Sequence, residues 1–246
     1  MSKPLAGRIA LVTGASRGIG FATALALAQS GAHVVALART VGGLEELDDE
    51  IKKAGSTATL VPLDLKDLDG IARLGAALNE RFGKLDAMVA NAGLLGPLSP
   101  LSHVDPKAWT ELIAVNVTAN WQLIRCMEPL LQKSDAGRAV LLTSGAASSG
   151  TAYWGPYAVS KAALDAMARA WAAENATNNL KINLFSPGPV RTRMRATAFP
   201  GEDRNTVTAP ETVAAKIVEL CLPGVQETGR LYSFHAGKFL TFNEPS

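Results

Sequence analysis

Tyr157 and Lys161 stand four residues apart inside an apolar, helix-patterned stretch, so their side chains share one helical face. A phenol beside an ammonium group is a device for moving a proton, because nearby positive charge favours the phenolate. Taken alone, such a pair fits two surface residues equally well. Ser144 and Asn116 give it more meaning. Ser144 directly follows a short apolar run, Arg138 to Thr143, and its hydroxyl can hydrogen-bond a ligand oxygen. Asn116 lies in the stripe formed by Trp109, Leu112, Ile113, Leu123 and Met127, where its amide is expected to be buried and to need partners. A satisfied structural asparagine fits that position too, and Asn120, on the same stripe, suits the structural role better.

A second centre lies near the amino terminus. The segment Thr13-Gly14-Ala15-Ser16-Arg17-Gly18-Ile19-Gly20 follows an apolar run and opens a helix pattern. Glycines there allow a tight turn and close backbone approach to a pyrophosphate, and the helix start offers free N–H groups. The spacing is GxxxGxG, and its position after the first strand gives it weight that glycines alone lack. The next apolar run ends in Ala38-Arg39-Thr40, where an NAD-binding chain usually places an acid for the ribose hydroxyls. No acid is present. Arg39 and Arg17 could instead clamp a ribose 2′-phosphate, which favours NADP(H), with NAD(H) as the alternative cofactor. Two solvated surface arginines are the plain alternative.

Elements that would position these residues can be read from the pattern. Seven short apolar runs (Arg8 to Thr13, His33 to Ala38, Thr57 to Leu63, Leu85 to Ala90, Arg138 to Thr143, Lys181 to Phe185, Arg230 to Phe234) alternate with helix patterns. The helices span roughly Gly18 to Ser30, Leu44 to Lys53, Leu68 to Phe82, Pro106 to Gln132, Tyr157 to Thr177 and Pro210 to Leu222. This order predicts an α/β Rossmann fold with a doubly wound, parallel, seven-stranded sheet and helices on both faces. Ligands then bind along the rim of strand carboxyl ends. Residues 1–246 read as one dinucleotide-binding and catalytic domain, with a substrate loop over about 186–209.

Composition narrows the partners. The 24 basic and 22 acidic residues are dispersed, which argues against a nucleic-acid footprint and for a small-molecule partner. No apolar run reaches the roughly 18 residues of a membrane span, and the short polar amino terminus leads straight into a strand. Cys126 and Cys221 have neither CxxC nor Cys/His ligand spacing, so no metal site is expected and they read as buried thiols in a reducing, cytoplasmic setting.

Taken in order, Thr13 to Gly20, Asp64, Asn91-Ala92-Gly93, Asn116, Ser144, Tyr157 with Lys161, and Pro187-Gly188 leading through Val190 to Thr192 resemble the short-chain dehydrogenase/reductase family over almost the whole chain. Asn91 to Gly96, Lys133 to Gly137 and Met194 to Pro200 are similar to the YciK-like bacterial oxidoreductases. The resemblance implies hydride transfer between a nicotinamide cofactor and a carbonyl or alcohol. It also implies that Asp64 and Leu65 contact adenine, Asn91 supports the cofactor ribose and Thr192 holds the carboxamide. Tyr157 would transfer the proton, Ser144 orient the substrate oxygen, Lys161 hold the ribose hydroxyls and, with the positively charged oxidised nicotinamide, lower the tyrosine pKa, and Asn116 position a water beside Lys161. Bringing a phenol from about 10 to about 7 requires about 4 kcal/mol of preferential phenolate stabilisation. Family resemblance and the long helices at Pro106 to Gln132 and Tyr157 to Thr177 imply a homo-oligomer, a tetramer.

Leu94, Leu95, Ala146, Trp154, Pro189, Met194 and Phe199 are the candidate lining of an apolar substrate pocket. Arg191, Arg193 and Arg195 add the option of an acidic substrate group. Two other readings stay open: an NAD-dependent alcohol dehydrogenase working oxidatively, and a nucleotide-binding regulatory protein without turnover.

Overall fold

The computed structural model describes residues 3–242. Alternation along the strands explains how two apolar layers form on one sheet. Val12, Val34, Ala36, Val89 and Val140 face one cluster, and their neighbours Leu11, Val35, Leu37, Met88 and Leu141 face the other, as the period of two requires. Helices α1 (Gly18–Gln29), α2 (Val41–Lys53) and α9 (Pro210–Leu220) cover the first face through Leu27, Leu47 and Ile217. Helices α3 (Leu68–Phe82), α5 (Ala119–Leu131) and α7 (Gly155–Glu174) cover the second through Ile71, Met127 and Trp171.

The strands are β1 (Ile9–Thr13), β2 (His33–Ala38), β3 (Ala58–Pro62), β4 (Ala87–Ala90), β5 (Arg138–Leu142), β6 (Lys181–Ser186), β7 (Leu231–Ser233) and β8 (Lys238–Leu240). Their order is β3-β2-β1-β4-β5-β6-β7-β8. The seven expected strands pair in parallel, and β8 adds a short antiparallel edge by pairing with β7. At three residues, β8 is too short for its alternation to stand out. The sequential order reverses between β1 and β4, the place where an open parallel sheet leaves a crevice.

Two departures from the expected elements matter for the site. The stretch read as one helix, Pro106 to Gln132, is α4 (Pro106–Ile113), a π-helical turn (Ala114–Thr118) and α5. Such a turn leaves the apolar stripe nearly intact, so periodicity does not expose it. The segment read as an irregular loop contains α8 (Arg193–Ala198), and its ends are tied by a parallel bridge between Val190 and Thr208. Another short helix, α6 (Ala146–Ser149), follows β5.

A polar brace holds α7 against α5. The indole N–H of Trp171 donates to Glu128 Oε2 at 3.0 Å, and the amides of Asn175 and Gln132 donate to Glu128 Oε1 at 3.3 and 2.8 Å. Trp171 is almost fully buried, so losing its acceptor would strand a donor away from water. Glu128→Ala is therefore expected to lower the unfolding free energy by about 1–3 kcal/mol in urea titration; an unchanged midpoint would remove the brace from the account.

Candidate active site

The glycine turn between β1 and α1 is shaped by contact with the end of β4. Gly14 has φ +68°, and a Cβ there would lie 2.9 Å from Asn91 Nδ2. A Cβ on Gly20 would meet the Gly14 carbonyl oxygen at 2.3 Å, so any side chain would force helix and strand apart. Asn91 holds this turn closed: its Nδ2 donates to the Thr13 carbonyl at 2.9 Å, and the N–H groups of Asn91 and Ala92 donate to Thr13 Oγ1 at 3.1 and 3.0 Å. Asn91 also lines the cavity, with its amide nitrogen given to the turn. The first turn of α1 has no side-chain cap and no acidic residue. Its N–H groups and positive dipole end are available to an anion.

A cavity of about 700 Å³ runs from this turn to Tyr157. The dinucleotide candidates lining it are Gly14, Ser16, Arg17, Gly18, Ile19, Arg39, Thr40, Asp64, Leu65, Asn91, Ala92, Gly93, Pro187, Gly188, Val190 and Thr192. Gly20 lies behind the wall and acts through close packing. Glycines that a Cβ would fill, an uncapped helix start and two exposed arginines make a donor set that fits a phosphate-bearing dinucleotide. Arg39 rests 3.7 Å from Asp64, and both groups are substantially exposed. An exposed pair of this kind contributes at most about 1 kcal/mol, so a phosphate can compete for the guanidinium.

At the other end, Ser144, Tyr157 and Lys161 meet on the cavity wall. Lys161 Nζ lies 5.7 Å from the Tyr157 ring centroid and donates to the Leu142 carbonyl at 2.7 Å. Burial pushes the Tyr157 phenol up to about 12, opposed by the Ser144 hydroxyl, and pulls Lys161 down to about 8, opposed by Asp165. The lowered tyrosine pKa anticipated from sequence is thus not a property of the protein side chains alone: removing a phenolate from water outweighs the help from Ser144.

The Asn116 side chain is taken up by bonds to protein. It is fully buried, and its carboxamide makes three hydrogen bonds to protein: Leu94 N–H donates to Oδ1 at 2.8 Å, and Nδ2 donates to the Leu94 carbonyl at 2.9 Å and Ser160 Oγ at 3.0 Å. The side chain joins the segment after β4 to α7 and does not line the cavity. Ser160 continues the link by donating to the Tyr157 carbonyl at 2.8 Å. Sequence reading missed Ser160, whose only signal is a position three residues past Tyr157 on a buried helical face.

Of the substrate-pocket candidates, Leu94, Leu95, Trp154 and Met194 line the cavity together with Val115, which sequence reading did not single out. Ala146 and Pro189 are not among its lining residues; Ala146 is drawn into α6. Phe199 lines a smaller neighbouring cavity of about 100 Å³ and packs on Trp154 at 5.8 Å between ring centroids. Trp154 in turn meets Tyr157 edge-on at 5.9 Å. Arg195 stacks over Phe199 at 3.7 Å and donates to Glu202 through Nε at 2.6 Å, so this arginine already has an acidic partner. Arg191 and Arg193 line the cavity, and among the described residues neither has an ion pair. The described residues contain no cluster of three His, Cys, Asp or Glu suited to a metal ion and no helix long and apolar enough to cross a membrane.

Comparison with known proteins gives one consistent result. The family model for short chain dehydrogenases matches residues 8–203. The uncharacterized oxidoreductase YciK of Escherichia coli K12 is 38% identical over 209 residues, covering 84% of this chain and 82% of that protein. A short-chain dehydrogenase of Shigella flexneri 2a, solved with NADP, superposes with a TM-score of 0.91 at 34% identity, covering 95% and 99% of the two chains. One from Escherichia coli CFT073, solved with NADPH, gives 0.90 at 35% identity, with 95% and 98% coverage.

Asn116→Ala should strand the Leu94 N–H and carbonyl. The expected result is a loss of about 2 kcal/mol or more in stability and faster hydrogen exchange at Leu94. Unchanged exchange at that amide would show that the asparagine does not hold the segment.

Proposed function

Because this chain belongs to the short-chain dehydrogenase family, we propose that it is an NADP(H)-dependent oxidoreductase that reduces ketones or aldehydes to alcohols and can run the reverse oxidation. The observation that carries this reading is the convergence of Ser144, Tyr157 and Lys161 on one end of a cavity whose other end is the glycine turn. NADP(H), when bound, supplies or accepts the hydride. The two relatives solved with NADP and NADPH support the choice of cofactor.

The chain's own groups divide the remaining work. Ser144 donates a hydrogen bond to the carbonyl oxygen and orients it. Tyr157, a phenol protonated at neutral pH and pushed further up by burial, gives that oxygen its proton as negative charge develops. A donor that stays protonated at neutral pH suits reduction; oxidation asks the same phenol to ionise against its burial. Lys161 supplies positive charge beside the phenol and reaches ribose hydroxyls, while its bond to Leu142 fixes its direction. Leu94, Leu95, Val115, Trp154 and Met194 give the substrate an apolar wall. Exposed Trp121 on α5 and Val159 on α7 support self-association through these two helices.

Tyr157→Phe should leave fold and cofactor binding in place while carbonyl reduction falls roughly 100- to 10,000-fold. Turnover measured across a panel of ketones, aldehydes, quinones and ketoacyl thioesters tests this, and a variant close to wild type where chemistry limits the rate would reject the role. For the cofactor, charge-assisted bonds to a 2′-phosphate should favour NADPH over NADH by about tenfold or more. Arg39→Ala should raise the KM for NADPH about tenfold with a much smaller effect on NADH, and added salt should shrink the preference. Equal kcat/KM for both cofactors in the wild type would refute the clamp.

A further inference from the structure

Three consecutive residues at the carboxyl end of β5 meet three successive turns of α7. The Leu142 carbonyl accepts from Lys161, and Ser144 shares the cavity wall with Tyr157. Between them, the Thr143 hydroxyl ends in the protein interior, and Asp165 stands one turn beyond Lys161 on the same face of α7. The chemistry described above employs Tyr157, Lys161 and Ser144 but gives Asp165 no part. Asp165 Oδ1 and Thr143 Oγ1 are both buried without a well-formed hydrogen bond to protein, while the adjacent buried positions of α7, Leu164 and Ala168, are apolar. Asp165 itself is half-buried, and holding its Oδ1 away from water without a partner is costly and calls for a role that an apolar residue could not fill.

We propose that Asp165 is a positioning residue for the proton-transfer pair, its carboxylate keeping Lys161 an ammonium ion in a site that would otherwise neutralise it. The inference rests on the assignment of Tyr157 and Lys161 given above. Burial holds Asp165 up to about 6 and Lys161 down to about 8, and each opposes the other's shift through opposite charge. Between those values both are ionised, and Tyr157 faces a positive charge that its helix itself maintains. The charges acting on Asp165 are Lys161 and Arg169, both from α7. From the other elements packed on this helix, β5 contributes the Thr143 hydroxyl and the π turn the Asn116 amide, neither of which titrates in this range. Glu111 of α4 is paired with Lys66, Lys181 of β6 donates to the Asn178 carbonyl, and Glu128 of α5 accepts from Trp171, almost three turns beyond Lys161.

The sign follows from the charge. Ionised Asp165 raises the Lys161 pKa, so removing it lets Lys161 lose its proton at lower pH. In pH profiles of kcat/KM for carbonyl reduction, the alkaline limb of Asp165→Asn should therefore move down by about one pH unit. The ratio of the rate at about pH 8.5 to that at about pH 6.5 then falls roughly tenfold below the wild-type ratio. Asp165→Glu should restore the limb. A purely structural role would lower the rate at every pH and leave the limb in place, and superimposable limbs would overturn the proposal. Tyr157→Phe, assayed alongside, separates the two levels: if it stays active, the assignment of the pair fails and the profiles are not used. The decision on Asp165 then comes from NMR titration of wild-type protein carrying 13C at lysine Cε, a measurement that needs no turnover. The Lys161 signal, assigned by its loss in Lys161→Arg, should shift a second time near pH 6 as Asp165 takes up a proton; a single step would overturn the proposal.

Discussion

Parallel pairing is the constraint from which the rest of this molecule follows. Seven strands running the same way must leave their carboxyl ends on one rim, and the order reversal between β1 and β4 parts the helices there. Gly14, Asn91, Leu142 and Pro187 lie at or just past the ends of four strands, with sequence separations of up to about 170 residues, yet all line the same cavity. The site is a meeting of ends. Its accuracy depends on the bonds that tie one end to another: Thr13 to Asn91, Asn116 to Leu94, and Lys161 to Leu142.

Those bonds commit polar side chains to scaffolding at the edge of the site. Asn91 and Asn116 each satisfy backbone groups of a neighbouring segment, which otherwise would be buried without partners. An asparagine amide mimics a peptide, so it can bridge backbones too far apart to pair directly. Leu94 is thus both a cavity wall and one end of a polar clamp, and the shape of the substrate space depends on a residue that never enters it.

Electrostatics at the catalytic end is governed by dryness. Tyr157 and Lys161 are both buried, so each is pushed toward its neutral form, the phenol upward and the amine downward. Groups that counter this are few and specific: Ser144 on the tyrosine and Asp165 on the lysine. At the cofactor end the opposite regime holds, since Arg17 and Arg39 are exposed and their interactions are open to screening.

Sequence alone determined the alternation of strands and helices, the glycine turn, the missing acid after β2, and the pairing of Tyr157 with Lys161 on one helical face. Each is written in spacing along a short stretch of chain, where helix and strand periods act directly. It also placed nearly every dinucleotide candidate on the cavity wall, because those residues sit at strand ends and the fold class dictates where strand ends go. Tertiary structure alone decided that Asn116 clamps Leu94, that Ser160 relays it to α7, that the helix through Asn116 carries a π turn, and that Phe199 packs behind Trp154 instead of facing the main cavity. It also decided that burial pushes the Tyr157 phenol above its ordinary pKa. A pKa and a hydrogen-bond partner depend on which distant groups share a buried volume, and neither local spacing nor residue type contains that distance.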